Sequence, residues 1–218
     1  MSEPSSNRCR LVLVAGPGID GASPARVVAA LGGGDVASVI LVQGSAGEGE
    51  FQSYCEAIVP AAQQAGAAVV VAGDSRIAGR AGADGIHIDG KPETVAEAVE
   101  RHSGKLIVGA GGVKTRHEAL ELGEAQPDYV LFGRFGFDQE PAAHPRNLDL
   151  AAWWSPMVEI PCIVQAGSEI AGVEACAQTG AEFVALSAAV FGNGADPADA
   201  VAKANALLDE RAPKFEAQ

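Results

Sequence analysis

Residues 67–88 read AAVVVAGDSRIAGRAGADGIHI, and their reading decides the fold. An apolar run at 67–72 ends in Gly73-Asp74, a short amphipathic stretch at 75–81 follows, and a second apolar run occupies 85–88. Continuous apolar runs of this length suit strands buried on both faces, which is the condition of a parallel sheet. Parallel strands need a crossover connection, and the stretch between the two runs is one.

The same alternation extends to both ends of the chain. Further strands are predicted at 11–15, 38–42, 106–108, 129–132, 162–165 and 183–186. Helices are predicted at 24–31, 50–65, 75–81, 93–102, 115–122, 148–156, 170–179 and 197–210, punctuated by stops such as Ala65-Gly66 and Thr179-Gly180. Eight strand–helix units in 218 residues predict an α/β fold, a (β/α)8 TIM barrel forming one domain over residues 1–218. A doubly wound open sheet uses the same alternation with fewer units. Residues 1–8 and 213–218 are expected to be loose ends.

The net charge is −13, and no run of lysine or arginine appears. That argues against nucleic-acid binding and against an anionic membrane surface. No apolar run approaches the ~18 residues of a membrane span, and the polar stretch 1–10 lacks the apolar centre of a secretory signal. Cys9, Cys55, Cys162 and Cys176 show no metal-binding or redox spacing, so they read as buried thiols in a reducing compartment. A cytoplasmic location is expected.

In barrels the active site lies at the C-terminal ends of the strands. Almost every predicted strand here ends in glycine or a small polar residue, which lets a ligand approach the backbone. Loops after the last two strands form the common phosphate site of barrels. The amides of Gly167, Ser168, Ala188 and Ala189 and the hydroxyls of Ser168 and Ser187 are the expected donors; the alternative is a pair of tight turns.

Several segments resemble the thiamine phosphate synthase family, including its thiazole tautomerase-like branch. They are Ala83-Asp84-Gly85-Ile86-His87-Ile88, Asp128-Tyr129-Val130-Leu131-Phe132-Gly133, Ile160-Pro161-Cys162-Ile163-Val164 with Ala166-Gly167, and Gly180-Ala181-Glu182-Phe183-Val184-Ala185 with Leu186-Ser187-Ala188. They are similar to the family's strands four, six, seven and eight, in order and at its spacing. The resemblance implies a barrel that joins a pyrimidine diphosphate to a thiazole phosphate and releases pyrophosphate. It implies magnesium, carboxylates to hold it, and cations beside the diphosphate.

The sequence departs from that family's pattern where the cations belong. Gln43 of the segment after strand two is kept, but Ser45 and Gly47 stand where the family has arginine and lysine. Asp74 is kept as a magnesium ligand, while Pro92 stands at the second aspartate position and Gly111 at a serine position. The segment 135–144 holds no threonine or lysine, and Arg134 stands where the tautomerase-like branch has histidine.

Each candidate has a second reading. Asp74 would hold magnesium or take a proton, or cap the helix at 75. His87 would bind substrate or move a proton, or be a satisfied core histidine. Arg134 would replace part of the diphosphate clamp, or pair with Asp74, Asp138 or Glu140. Gln43 would bond a heterocycle or fill the mouth, and Gly109 would line it. Asp84 reads as structural. Lys114, Arg116 and His117 open a helix against its dipole, with a solvated face as the default reading. Trp153, Trp154, Phe51 and Tyr54 read as packing between helices, with a homodimer patch as the other outcome. Phe135-Gly136-Phe137 opens a long loop able to act as a lid. The phosphorylated small molecule is the expected partner; a catalytically silent phosphate-binding relative, or an isomerase using His87 and Asp74, are the alternatives.

Overall fold

A computed structural model describes residues 7–19, 21–192 and 194–215. Eight parallel strands close on themselves in sequence order: β1 (Arg10–Ala15), β2 (Val36–Val42), β3 (Ala68–Ala72), β4 (Gly85–Asp89), β5 (Ile107–Gly111), β6 (Tyr129–Phe132), β7 (Cys162–Gln165) and β8 (Phe183–Leu186). The pairing of β1 with β8, through Val12 opposite Ala185, excludes an open doubly wound sheet.

Outside the barrel lie α1 (Pro24–Leu31), α2 (Glu48–Gln64), α3 (Ser75–Ala81), α4 (Pro92–His102), α5 (Arg116–Glu124), α6 (Pro145–Trp154), α7 (Gly172–Ala177) and α9 (Pro197–Arg211). A four-residue helix, α8 (Ala188–Phe191), is inserted directly after β8. The sequence reading starts α6 three residues late. His144 caps that helix by accepting from the Arg146 amide, and Pro145 fits its first turn, where a missing N–H costs nothing.

Alternation along each strand sorts the core into two layers. Val12, Val14, Ile40, Val70, Leu131 and Ile163 fill the lumen, while Leu11, Leu13, Val39, Val69 and Val71 face the helices. Trp154 is buried between α5 and α6, edge-on to Phe132, and its indole N–H donates to the Ile160 carbonyl at 2.8 Å. The four cysteines are buried, which pushes the thiols of Cys55, Cys162 and Cys176 up to about 12 and leaves them inert.

The N-terminal end of the barrel is held by carboxylates. Asp84 accepts from the Val69 amide at 2.7 Å, Asp128 from Val108 at 2.7 Å and Glu182 from Cys162 at 2.9 Å. Each precedes an even-numbered strand and ties down the first amides of the strand before it. Of the ends expected to be loose, 1–6 and 216–218 lie outside the described residues. The remainder is paired: Arg8 bridges Lys214, and buried Arg8 bonds Asp209 and Asn205.

Asp84→Ala leaves the Val69 amide without its acceptor and should cost about 1–3 kcal/mol of stability. Urea unfolding measures this, and a loss below ~0.5 kcal/mol, the range of an ordinary surface change, would refute the assignment.

Candidate active site

The C-terminal mouth is organised by three adjacent strands. His87 of β4 and Tyr129 of β6 both point into the lumen, on either side of Gly109 of β5. A Cβ on Gly109 would lie 1.9 Å from Cζ of Tyr129, so the phenol ring occupies the space a side chain would need. The ring thereby reaches His87, whose Nδ1 lies 2.9 Å from the Tyr129 hydroxyl, with the two rings stacked at 5.6 Å. Phe135 closes the other side, edge-on at 5.1 Å.

Nε2 of His87 lies 3.2 Å from Oδ1 of Asp89, two residues along the same strand face. The two contacts suit an imidazole that donates from Nε2 towards Asp89 and accepts the Tyr129 hydroxyl at Nδ1. Burial holds the Tyr129 phenol far above its usual range, so it remains a donor. The result is a line of polar groups from a buried phenol, through a buried imidazole, to a carboxylate 46% exposed at the mouth. Asp89 and Tyr129 were not singled out from sequence, although the spacing of Asp89 from His87 already places both on one strand face.

Asp74 caps α3, accepting from the Arg76 amide at 2.8 Å, and its carboxylate is also gripped by the Arg76 guanidinium. Those contacts, the side-chain one first, hold its carboxyl down to about 2. Gln43, at the end of β2, is half-buried and donates to the Ala46 carbonyl at 3.0 Å.

At the β7–β8 end, the loop from β6 lies across the expected phosphate donors. The Ser168 amide donates to the Glu140 carbonyl at 2.7 Å and its hydroxyl to Gln139 at 2.9 Å. A Cβ on Gly167 would meet the carbonyls of Glu140, Pro141 and Ala142 within 2.5 Å. The Ala188 amide, at the start of α8, donates to the carboxylate of buried Asp138 at 2.8 Å. A hollow of ≈230 Å³ remains beside Ser187 and Ala188, lined also by Gly18, Ile19 and Gly136.

Arg134 pairs with none of its three expected carboxylates. Its guanidinium stacks on Phe137, 3.7 Å from the ring centre, and its amide donates to Oε1 of Gln165 at 2.6 Å. Beyond β4–β6 lies a hollow of ≈460 Å³ lined by Asp89, Gly112, Arg134, Lys91, Lys114 and Arg146 among others. A hollow of ≈640 Å³ lies instead around Lys105 and Asp128 at the N-terminal ends of the strands, the face that serves stability in barrels. Among the described residues no group of three or more His, Cys, Asp or Glu is gathered for a metal, and no helix is long and apolar enough to cross a membrane.

Burial raises the Asp138 carboxyl above its ordinary value. A carboxyl raised in the folded state contributes most below its unfolded value near pH 4, and that contribution is lost as pH rises through the folded value. Asp138→Asn keeps an acceptor for Ala188 and removes the buried charge. The variant should melt higher than the wild type at pH 7, with the gain vanishing by about pH 3. A lower melting temperature at pH 7 would refute the burial argument.

The family model described as thiamine monophosphate synthase matches residues 11–190. A thiamine-phosphate synthase of Rhodospirillum centenum is 33% identical over 203 residues, covering 92% of this chain and 98% of the relative. Another, of Hyphomonas neptunium, is 32% identical over 212 residues, covering 94% and 96%. The solved structure of a thiamine phosphate pyrophosphorylase from Pyrococcus furiosus superposes with a TM-score of 0.77 at 20% identity, covering 94% of this chain and 97% of that one, which speaks for the fold alone. A match that runs from β1 into α8, with relatives aligned over nearly their whole length, places this barrel in the thiamine monophosphate synthase family.

Proposed function

We propose that the chain couples a pyrimidine diphosphate to a thiazole phosphate, forming thiamine phosphate and releasing pyrophosphate. The observation that carries this reading is the family match over residues 11–190, set on a barrel whose C-terminal mouth gathers polar side chains. A cytoplasmic setting and phosphorylated small-molecule partners follow from the same reading.

In this reading the pyrimidine lies at the mouth against Gln43 and the exposed Asp89 carboxylate, while His87 and Gly109, expected from sequence to touch it, lie beneath and are packed against Tyr129. The buried Tyr129–His87 pair fixes the direction of the Asp89 carboxylate, so a substrate amine meets an acceptor held in place. Arg134 serves the departing diphosphate. The thiazole phosphate takes the amides of Gly167, Ser168 and Ala188 and the Ser187 hydroxyl, which requires Asp138 and the segment 139–142 to withdraw. Gly136, at φ +77° in an open position, gives that loop a hinge.

Magnesium belongs to the same reading. The ion binds proteins through one or two carboxylates and takes further oxygens from substrate phosphates, so a large protein cluster is not required. Asp74, just after β3, is the carboxylate expected from sequence to hold it, and it would have to release Arg76 to serve. Bound with the diphosphate, the ion would neutralise charge developing on the leaving group.

Purified protein incubated with both substrates and magnesium should form thiamine phosphate, followed by fluorescence after oxidation, above a mock purification. Asp74→Ala should reduce turnover at least tenfold. No turnover by the wild type would sink the synthase reading. Full turnover by the variant would leave Asp74 as a helix cap and nothing more.

A further inference from the structure

We propose that the hollow beyond β4, β5 and β6 is a diphosphate site, formed by Lys91, Lys114, Arg134 and Arg146. The diphosphate is that of the pyrimidine substrate and of the released pyrophosphate, so its biological identity rests on the synthase reading.

Charge statistics make the first argument. The chain has 15 lysines and arginines against 28 aspartates and glutamates. Four of the former line this one hollow, with Asp89 as its single carboxylate. In a protein of net charge −13 that is a strong local reversal of sign, and it lies on the catalytic face of the barrel.

The second argument is what these cations do without a ligand. Among the described residues, the side chains of Lys91, Lys114 and Arg146 form no ion pair, so at close range no carboxylate compensates them. Lys91 is the N-cap residue of α4, Lys114 lies one residue before the Thr115 cap of α5, and Arg146 is in the first turn of α6. Cations at those three positions oppose the helix dipoles and repel one another. A polyanion between them removes both penalties.

The third argument is Gln165, buried beneath Gly133 and Arg134. Its Oε1 accepts the Arg134 amide, which fixes the orientation of its carboxamide. Among the described residues its Nε2 is then a buried donor with no partner, beneath Gly133, which lines the hollow. Buried donors are rarely left so, and an anion held by Arg134 supplies the missing acceptor. None of these cations occupies the positions after strands two and six where the resembled family keeps its own, so the clamp has been rebuilt from the loops of three neighbouring strands.

Titration of inorganic pyrophosphate, with orthophosphate in parallel, into the full chain by calorimetry tests the site. Pyrophosphate should bind at least tenfold more tightly than orthophosphate. Lys91→Gln, Lys114→Gln and Arg146→Gln should each weaken it roughly ten- to a hundredfold, the value of one charge-assisted bond. Lys203→Gln, a cation of α9 outside the hollow, should leave it unchanged, and thermal melts check that each variant is folded. Unmeasurable binding by the wild type, or equal weakening by Lys203→Gln, would overturn the site. Wild-type turnover with unchanged pyrophosphate affinity in the three hollow variants would sink this site and keep the synthase reading. Weakened affinity in those variants without wild-type turnover would keep the site and sink the synthase.

Discussion

Tyr129 crosses the lumen because Gly109 leaves the neighbouring strand without a side chain. An eight-stranded barrel has room inside for side chains and little else, so a ring can lie across it only where a neighbour gives up volume. That single exchange sets the direction of His87, and His87 in turn sets Asp89. The polar line at the mouth is thus anchored in core packing rather than in a flexible loop. Its geometry is as stable as the barrel itself, which is the condition for a preorganised site.

The two ends of the barrel use carboxylates differently. Below, Asp84, Asp128 and Glu182 each satisfy a backbone amide and hold strands in register. Above, Asp74, Asp89 and Asp138 face an arginine, a histidine and the amide of a short helix. The lower set closes the structure; the upper set is exchangeable, because each partner is also one that a ligand or an ion would take. An acidic chain can therefore keep a region of positive potential, provided its carboxylates are occupied elsewhere.

The fold was legible because alternation of apolar runs and stops is a local property. Eight runs, each bounded by glycine or a small polar residue, fixed both the strand count and the face to inspect. Membership of the family was legible for the same reason, in ordered segments around His87, Tyr129 and Leu186. The site was legible only in part. Asp84 and the buried cysteines followed from local rules. The Tyr129–His87 contact did not, because it depends on the register of β5 between them. The Asp138–Ala188 contact did not, because it joins residues fifty positions apart. The grouping of Lys91, Lys114 and Arg146 was invisible for a third reason: each looks like an ordinary solvated cation until three loops are brought to one rim.

The contact of Asp138 with the Ala188 amide has one further consequence. The chain carries its own competing anion, tethered by the loop after β6 and seated on a donor that a phosphate would use. Dilution cannot weaken such a competitor, since its effective concentration is set by the loop and not by the solution. Any phosphate entering there binds with an apparent affinity reduced by the fraction of time the loop is away. For a phosphate bound there, discrimination would fall on ligands strong enough to displace a carboxylate, and the loop would set a threshold for weaker anions.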